Sequence, residues 1–402
     1  MTINNEHNKL NVPNLRFPEF QGKWEEYKLE DITAEIGDGI HATPIYDDNG
    51  TFYFVNGNNI SEYGITITAT TQKVTEEEAL RNNASALNSY SILLSINGTI
   101  GNVALYKNEP IMLGKSACYI NVSSNINRNY IFYYLMMPKC QFYFTSELTG
   151  TTIKNLSLKS VRKTKVLLPN ANEQSKIARL FDAINERIAT QNKIIEDLKK
   201  LKCAIIEKHY RQAKLHKYTI CDLGVPFSVG SLSKEDLSEK GHECILYGEL
   251  FTTYDCVINE VKSHTNKIAN TTLSQKGDLL FPSSTTVDAV SLISPSVIDI
   301  PNVILGGDMF GIHIDKKFNA YYLSYYINLI ARKKLAIYAK GSTIIHLHYK
   351  DIAKAQLLLP DLCEQDKIAK CMMAEDAKIK VEEQLLTILE KQKQYLLRQM
   401  FI

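Results

Sequence analysis

Two short stretches of this chain hold the residues best suited to chemistry. Gly150-Thr151-Thr152-Ile153-Lys154-Asn155 and Gly341-Ser342-Thr343-Ile344-Ile345-His346 each place small hydroxyls beside a glycine, followed by a polar side chain. Glycine lets a backbone approach a ligand closely, hydroxyls and lysine reach phosphate oxygens, and an amide or imidazole reaches the edge of a base. The expected chemistry is contact with nucleic acid. Its carriers are Thr149, Thr151, Lys154 and Asn155 in the first stretch, and Lys340, Ser342, Thr343, His346 and His348 in the second. Asn97 with Thr99, and Ser283 with Thr285, follow apolar runs at matching places and form a second set of candidates. His41 and Thr43 lie in the polar loop Gly39-Ile40-His41-Ala42-Thr43-Pro44, which has no close mate later in the chain. That asymmetry suits a device that reads sequence.

Patterns for catalysis are missing, and the expectation is no catalytic residue and no metal site. There is no Asn-Pro-Pro-Tyr-like or Asp-Pro-Pro-Tyr-like loop, no glycine-rich methyl-donor turn and no G-x-x-x-x-G-K-[ST] phosphate cradle. Pro360-Asp361 with Asp376-Ala377-Lys378 imitates a nuclease carboxylate set, but Asp376 and Lys378 fall inside a predicted helix and the first stretch has no counterpart. The nine histidines lack zinc-site spacing, and His346 and His348 simply share one face of a predicted strand. Eight scattered cysteines without a C-x-x-C pair argue against a zinc ribbon or a disulfide framework. No run approaches the roughly 18 apolar residues of a membrane span, and Met1-Thr2-Ile3-Asn4 opens no secretory signal. The expected compartment is the cytoplasm.

A formal net charge of +2 conceals a pattern. Between Thr149 and Asn172 lie Lys154, Lys159, Arg162, Lys163 and Lys165 with no acid, while Arg332, Lys333, Lys334, Lys340, Lys350 and Lys354 meet only Asp351. Positive charge gathers at the same place twice, which favours a polyanion partner.

The elements that position these residues are themselves duplicated. From Gly150 to Ala178 and from Gly341 to Ala369, the pattern G-[TS]-T-I…L-P…E-Q-x-K-I-A recurs at a constant offset of 191. Tyr27 maps on Tyr218 and Gly57 on Gly248 at the same offset, whereas Ser91-Ile92-Leu93-Leu94 maps on Asp278-Leu279-Leu280-Phe281 at 187. A chain of 402 residues exceeds one ordinary core, so the repeat describes two globular units. Short apolar runs bounded by Gly, Asn or Pro predict mixed strand and loop, with one helix near Tyr130–Phe144 and one near Tyr321–Tyr338. Each unit then leads into a long helix. Ile177, Phe181, Ile184, Ile188, Ile195, Leu198 and Ile205 form one seam, broken by Gln191 and Lys202. Ile368, Met372, Ile379, Leu386, Leu389, Leu396 and Met400 form the other, with Glu375 and Glu382 within it. A period near 3.5 is that of a coiled coil, and about forty residues make a rod of roughly 60 Å. The expected fold class is α+β: two similar mixed α/β domains separated by two long antiparallel coiled-coil helices, pseudo-two-fold. The expected boundaries are an amino-terminal segment 1–26 finishing the second rod, domains at 27–172 and 218–363, and spacer helices at 173–217 and 364–402.

Arg16-Phe17-Pro18-Glu19-Phe20, Trp24-Glu25-Glu26 and the doubled motif together resemble the specificity subunit of type I restriction–modification systems, from about Asn14 to Ile402. The second half lacks the Trp-Glu opening. The resemblance implies two target-recognition domains, each reading one half of a bipartite, asymmetric double-stranded DNA target. It implies a chain that is non-catalytic by itself, with two modification subunits supplying adenine methylation and two restriction subunits supplying ATP-driven cleavage. S-adenosylmethionine, ATP and Mg would then sit on those partners and none on this chain. The outward residues Leu180, Ile194, Leu201 and Ile206 of the first helix, and Leu385, Ile388, Tyr395 and Leu397 of the second, are the expected partner-docking face. An orphan DNA-binding adaptor and a coiled-coil protein scaffold are the competing readings.

Overall fold

The computed structural model describes residues 11–82, 84–150 and 154–402. They divide into two compact units, one drawn from Met1–Asn192 with Gln384–Ile402 and the other from Lys193–Glu383.

In the first unit an antiparallel sheet runs in the order Thr33–Asp38, Ala117–Val122, Ser91–Ser95, Val103–Leu105. Ser91–Ser95 and Ala117–Val122 are buried along their whole length, which is why both read as nearly unbroken apolar runs. Alternate side chains serve two cores. Ile92, Leu94 and Ile120 pack under the head helices, while Leu93 and Tyr119 pack on the opposite face against Val55 and Leu113. Phe52–Val55 and Ile111–Leu113 pair in parallel there. The second unit repeats the plan. Its sheet runs Gly224–Ser228, Met309–Ile314, Leu279–Pro282, Ser296–Ile298, Val257–Ile258. Leu279 and Phe281 enter one core and Leu280 the other. His242–Leu246 and Ile304–Gly306 form the corresponding parallel pair.

The helix expected near Tyr130–Phe144 is divided into Arg128–Met136 and Pro138–Ser146. Pro138 has no N–H to continue the first piece and instead opens the second. Its counterpart is not cut there. Ala320–Tyr326 passes through a π-helical turn, Ile327–Ala331, into Arg332–Leu335. Asn328 in that turn donates to the carbonyls of Pro295 (2.7 Å) and Ser324 (2.9 Å).

The long helices span Ala171–Gln212 and Leu362–Met400. Each is fastened to its head by the glutamine of the repeated motif. Gln174 and Gln365 are buried; their amides donate to the carbonyls of Pro169 (2.9 Å) and Pro360 (2.8 Å). Their side-chain oxygens accept the backbone N–H of Asn127 (3.1 Å) and Asn319 (2.9 Å). Those two asparagines cap the head helices through the N–H groups of Tyr130 and Tyr322. A second tie follows: the hydroxyls of Tyr133 and Tyr325 donate to Asp182 (2.7 Å) and Asp376 (2.5 Å). Asp376 also accepts from Lys202 at 2.5 Å, which explains how that seam break is tolerated and gives Asp376 a structural role. In the second unit Lys199 meets Glu383 while Lys202 meets Asp376, the order that antiparallel helices require.

The seam of the second helix differs from its expected course near the end. Leu389, Lys393, Leu397 and Met400 are buried, and Leu386 and Leu396 only partly so. Lys393 is 3% exposed and pairs with Glu62 at 2.5 Å. Leu397 therefore does not face outward, and neither does Ile206, which is 1% exposed; the expected docking role of these two is corrected. The cause is that each helix end meets a head as well as a helix. Leu397, Met400 and Phe401 join the first core, with Phe401 lying 5.2 Å from the Tyr130 ring and 5.6 Å from Phe181. Ile206 joins the second core beside Tyr322 and Tyr326. The buried stripe is thus wider than a two-helix seam.

Residues 11–24 form turns against this end of the second helix, where Leu15 N–H donates to the Gln399 carbonyl (2.9 Å). Arg16 makes a two-pronged bond to the fully buried Glu173 carboxylate, 2.7 Å on each prong. Among the described residues no helix is long and apolar enough to cross a membrane.

Candidate nucleic-acid interface

Backbone pairing brings the two sets of candidate residues together in each unit. In the first, Thr149 and Asn155 exchange both backbone hydrogen bonds (3.0 and 2.9 Å), and Leu156 N–H donates to Ile96 O at 2.9 Å. In the second, Lys340 and His346 make the same exchange (2.9 and 2.7 Å), and Leu347 N–H donates to Ser283 O at 2.8 Å. Leu156 and Leu347 are fully buried and anchor the loops to their cores. These equivalences follow the two offsets read from sequence, 191 for the loop and 187 for the strand. Gly150 (φ +95°) and Gly341 (φ +125°) make the turn, in a backbone region that disfavours any side chain. A Cβ at Gly341 would lie 2.0 Å from the Ile344 carbonyl oxygen.

Lys154 is exposed and Asn155 half-buried; Thr151 lies outside the described residues. Asn97 bridges to Asn155. Thr99 is exposed but spends its hydroxyl on Gly57 O (2.8 Å), and Thr149 donates its own to Asn155 O (3.3 Å). In the second unit Ser342, Thr343, His346 and His348 are exposed, and the two imidazoles stack at 6.1 Å with Leu347 turned inward between them. Thr285 is half-buried and accepts the Val287 N–H (3.2 Å). Ser283 is corrected: it is 3% exposed, with its N–H on Asp308 O and its carbonyl on Leu347, so it is a strut beneath the loop. Thr286, one residue past the pairing, is exposed in its place.

The basic residues divide by task. Lys154, Lys159 and Lys163 are exposed, whereas Arg162 donates to Ile36 O (2.7 Å) and Lys165 pairs with Glu26 (2.7 Å). In the second unit Lys333, Lys350 and Lys354 are exposed. Arg332 holds the carbonyls of Val290 and Ser291, and Lys340 reaches Asp351 at 2.5 Å. That bond holds the Asp351 carboxyl below its usual range and offsets the charge Lys340 would offer to an anion.

A third loop joins each site by sheet order. Cys118 faces Asp38 on one side and Leu94 on the other, so the loops after Thr33–Asp38 and Ser91–Ser95 leave one edge of the sheet. His41 and Thr43 are exposed there, with His41 Nε2 2.8 Å from Asp38. Phe310 likewise faces Ser228 and Phe281, so residues 229–233 leave the same edge as residues 283–287. The His41 loop therefore does have a mate in the backbone. Ile40 bridges to Gly114 and Gly230 to Gly306, both in parallel. A Cβ on Gly39 would meet Gly114 O at 2.2 Å, and one on Gly230 would meet Asn270 O at 2.3 Å. Gly39 and Gly230 stand 191 apart, a signal that the dissimilar side chains around them obscured.

The residues expected to dock partners differ in exposure. Ile194, Leu201, Ile388 and Tyr395 are exposed, and Leu180 and Leu385 are half-buried.

Known proteins share this plan. The family model described as "Type I restriction modification DNA specificity domain" matches residues 21–200 and again 225–391. A Methanocaldococcus jannaschii protein named "Putative type I restriction enzyme MjaX specificity subunit" is 23% identical, over 95% of this chain and 94% of its own. The MjaIX specificity subunit of the same organism is 25% identical over 44% of this chain and 41% of its own. The solved S subunit of a type I restriction–modification system from M. genitalium superposes with a TM-score of 0.60 at 16% identity, covering 97% of this chain and 99% of that one. A chain from a structural study of complex assembly in the type I R-M system gives 0.56 at 14% identity, covering 94% and 97%. With two matches that together take in most of its length, the chain belongs to the type I restriction–modification DNA specificity family.

Proposed function

We propose that this chain is the DNA sequence-recognition subunit of a type I restriction–modification complex, with each domain reading one half of a bipartite, asymmetric target. One observation carries this reading. The same three loops are built twice by the same backbone pairing, yet they present different side chains: Lys154 and Asn155 in one domain, Thr286, His346 and His348 in the other. A fixed frame with divergent edges suits two heads reading different bases. The chain is non-catalytic by itself. Two modification subunits carry S-adenosylmethionine and adenine methylation, two restriction subunits carry ATP, Mg and cleavage, and the complex works in the cytoplasm. Ile194, Leu201, Ile388 and Tyr395 supply apolar surface for docking those partners. The orphan-adaptor and scaffold readings gain no support.

Mapping methylated adenines in cells that express the chain with its cognate modification subunits tests this. The expected result is methylation at one gapped, asymmetric motif, with the bases of one half changed by substitutions at Asn155 and those of the other half by substitutions at His346. Methylation at an ungapped motif would overturn it.

A further inference from the structure

The second domain carries two apolar side chains where an isolated protein gains nothing from them. Val287 is 73% exposed and Ile344 is 50% exposed. Both flank the two-stranded ribbon formed by Ser284–Thr285 and Ile345–His346. Thr285 pairs with Ile345 as the last rung, and Ile344 and Thr286-Val287 are the bends next to it in the chain. A ribbon of two strands is narrow enough to enter the major groove of B-form DNA.

The mounting is rigid on the Val287 side. Thr285 Oγ1 accepts the Val287 N–H (3.2 Å), Asp288 caps the following helical turn through Ser291 N–H (2.8 Å), and Arg332 grips Val290 O (2.8 Å). On the other side Gly341 fixes the turn that delivers Ile344. His346, His348, Ser342 and Thr343, near Ile344 in the chain, are exposed polar groups. At the 187 offset, the first domain has Ile100 in the place of Val287, and Ile100 is half-buried against its own core. Exposure at the Val287 position is thus a property of one head; Ile153, the counterpart of Ile344, lies outside the described residues.

On a base edge in the major groove, the one apolar group is the C5-methyl of thymine. We propose that Val287 and Ile344 read a thymine in the half-site of the second domain by packing against its methyl group. This rests on the DNA-recognition reading above. Replacing thymine by uracil removes that methyl and leaves base pairing intact, so the inference has a direct test.

The full chain, purified with its modification subunits, is bound to duplexes carrying the mapped target, with each thymine of the second half-site replaced singly by uracil. At one position the affinity is expected to fall about four-fold, the factor for one buried methyl group. In Val287→Ser with Ile344→Ser, and in the isosteric Val287→Thr, that sensitivity is expected to shrink or vanish while first-half substitutions keep their effects. Thermal melting of the variants confirms that they fold. Unchanged affinity at every thymine-to-uracil position, equal sensitivity in the variants, or a second half-site without thymine on either strand would each overturn the inference alone. Failure of the unmodified complex to select any target would remove the recognition reading and this inference with it.

Discussion

Individual residues at the two sites differ in how much charge they can offer. Lys154 is exposed, while Lys340 is already committed to Asp351 at 2.5 Å. Lys154→Glu is therefore expected to lower the slope of log affinity against log salt by about one and to weaken all sequences alike. Lys340→Ala is expected to change that slope less; a salt titration of both variants on nonspecific duplex checks the order. Sequence alone assigned the two lysines equal roles, because Asp351 lies eleven positions away and only the fold brings it to Lys340. Ser283 misled for a related reason. It follows an apolar run, the ordinary sign of a loop, but its backbone is held between Asp308 and Leu347 and its side chain is enclosed. Asp278 adds a pH effect in the second head. Burial raises its carboxyl above the usual range, against the opposing Gln275 N–H and the His313 ring at 2.6 Å. A raised carboxylate contributes stability that is complete below the unfolded value of about 3.9 and is lost as pH rises through the folded value. Asp278→Asn is expected to remove that component, seen as a shallower fall of the urea midpoint as pH rises from about 4.

Among the elements, the fasteners matter more than the seams. Arg16 neutralises Glu173, whose side chain is wholly buried, and also binds the carbonyls of Gly22 and Gln21. Arg16→Ala leaves a buried charge unpaired and is expected to cost about 3–5 kcal/mol, measurable by denaturant unfolding. Arg16→Ala with Glu173→Gln is expected to recover part of it. The doubled E-Q-x-K-I-A pattern made the fastening legible as a place, since its glutamines recur at the 191 offset. Its partners were not legible, because the carbonyls of Pro169 and Pro360 and the backbone amides of the capping asparagines have no sequence signature. The heptad reading held along the first helix at Ile177, Phe181, Ile188, Ile195 and Leu198. It failed at Leu397 and Ile206, where aromatic side chains of a head widen the buried face.

At the scale of the whole molecule, the first unit is discontinuous in the chain, whereas the second runs unbroken from Lys193 to Glu383. The first needs Gln384–Ile402, from which Leu397, Met400 and Phe401 enter its core. Ending the chain after Glu383 is therefore expected to destabilise the first recognition domain, far upstream in sequence, more than the second. Hydrogen exchange resolved by peptide would show faster exchange in residues 91–122 than in residues 279–314. Inserting about four residues, roughly one turn, into the helix Ala171–Gln212 is expected to change the gap tolerated between half-sites. A methylation assay over targets of graded gap length checks this.

At the joint, the side chains of Gln174 and Gln365 hydrogen-bond to a proline carbonyl and to the backbone amide of a capping asparagine, outside the candidate contact loops. Mutational drift at the reading edge consequently leaves the mount undisturbed. A lineage could rewrite what either head selects, one half at a time, without remaking the joint that carries it.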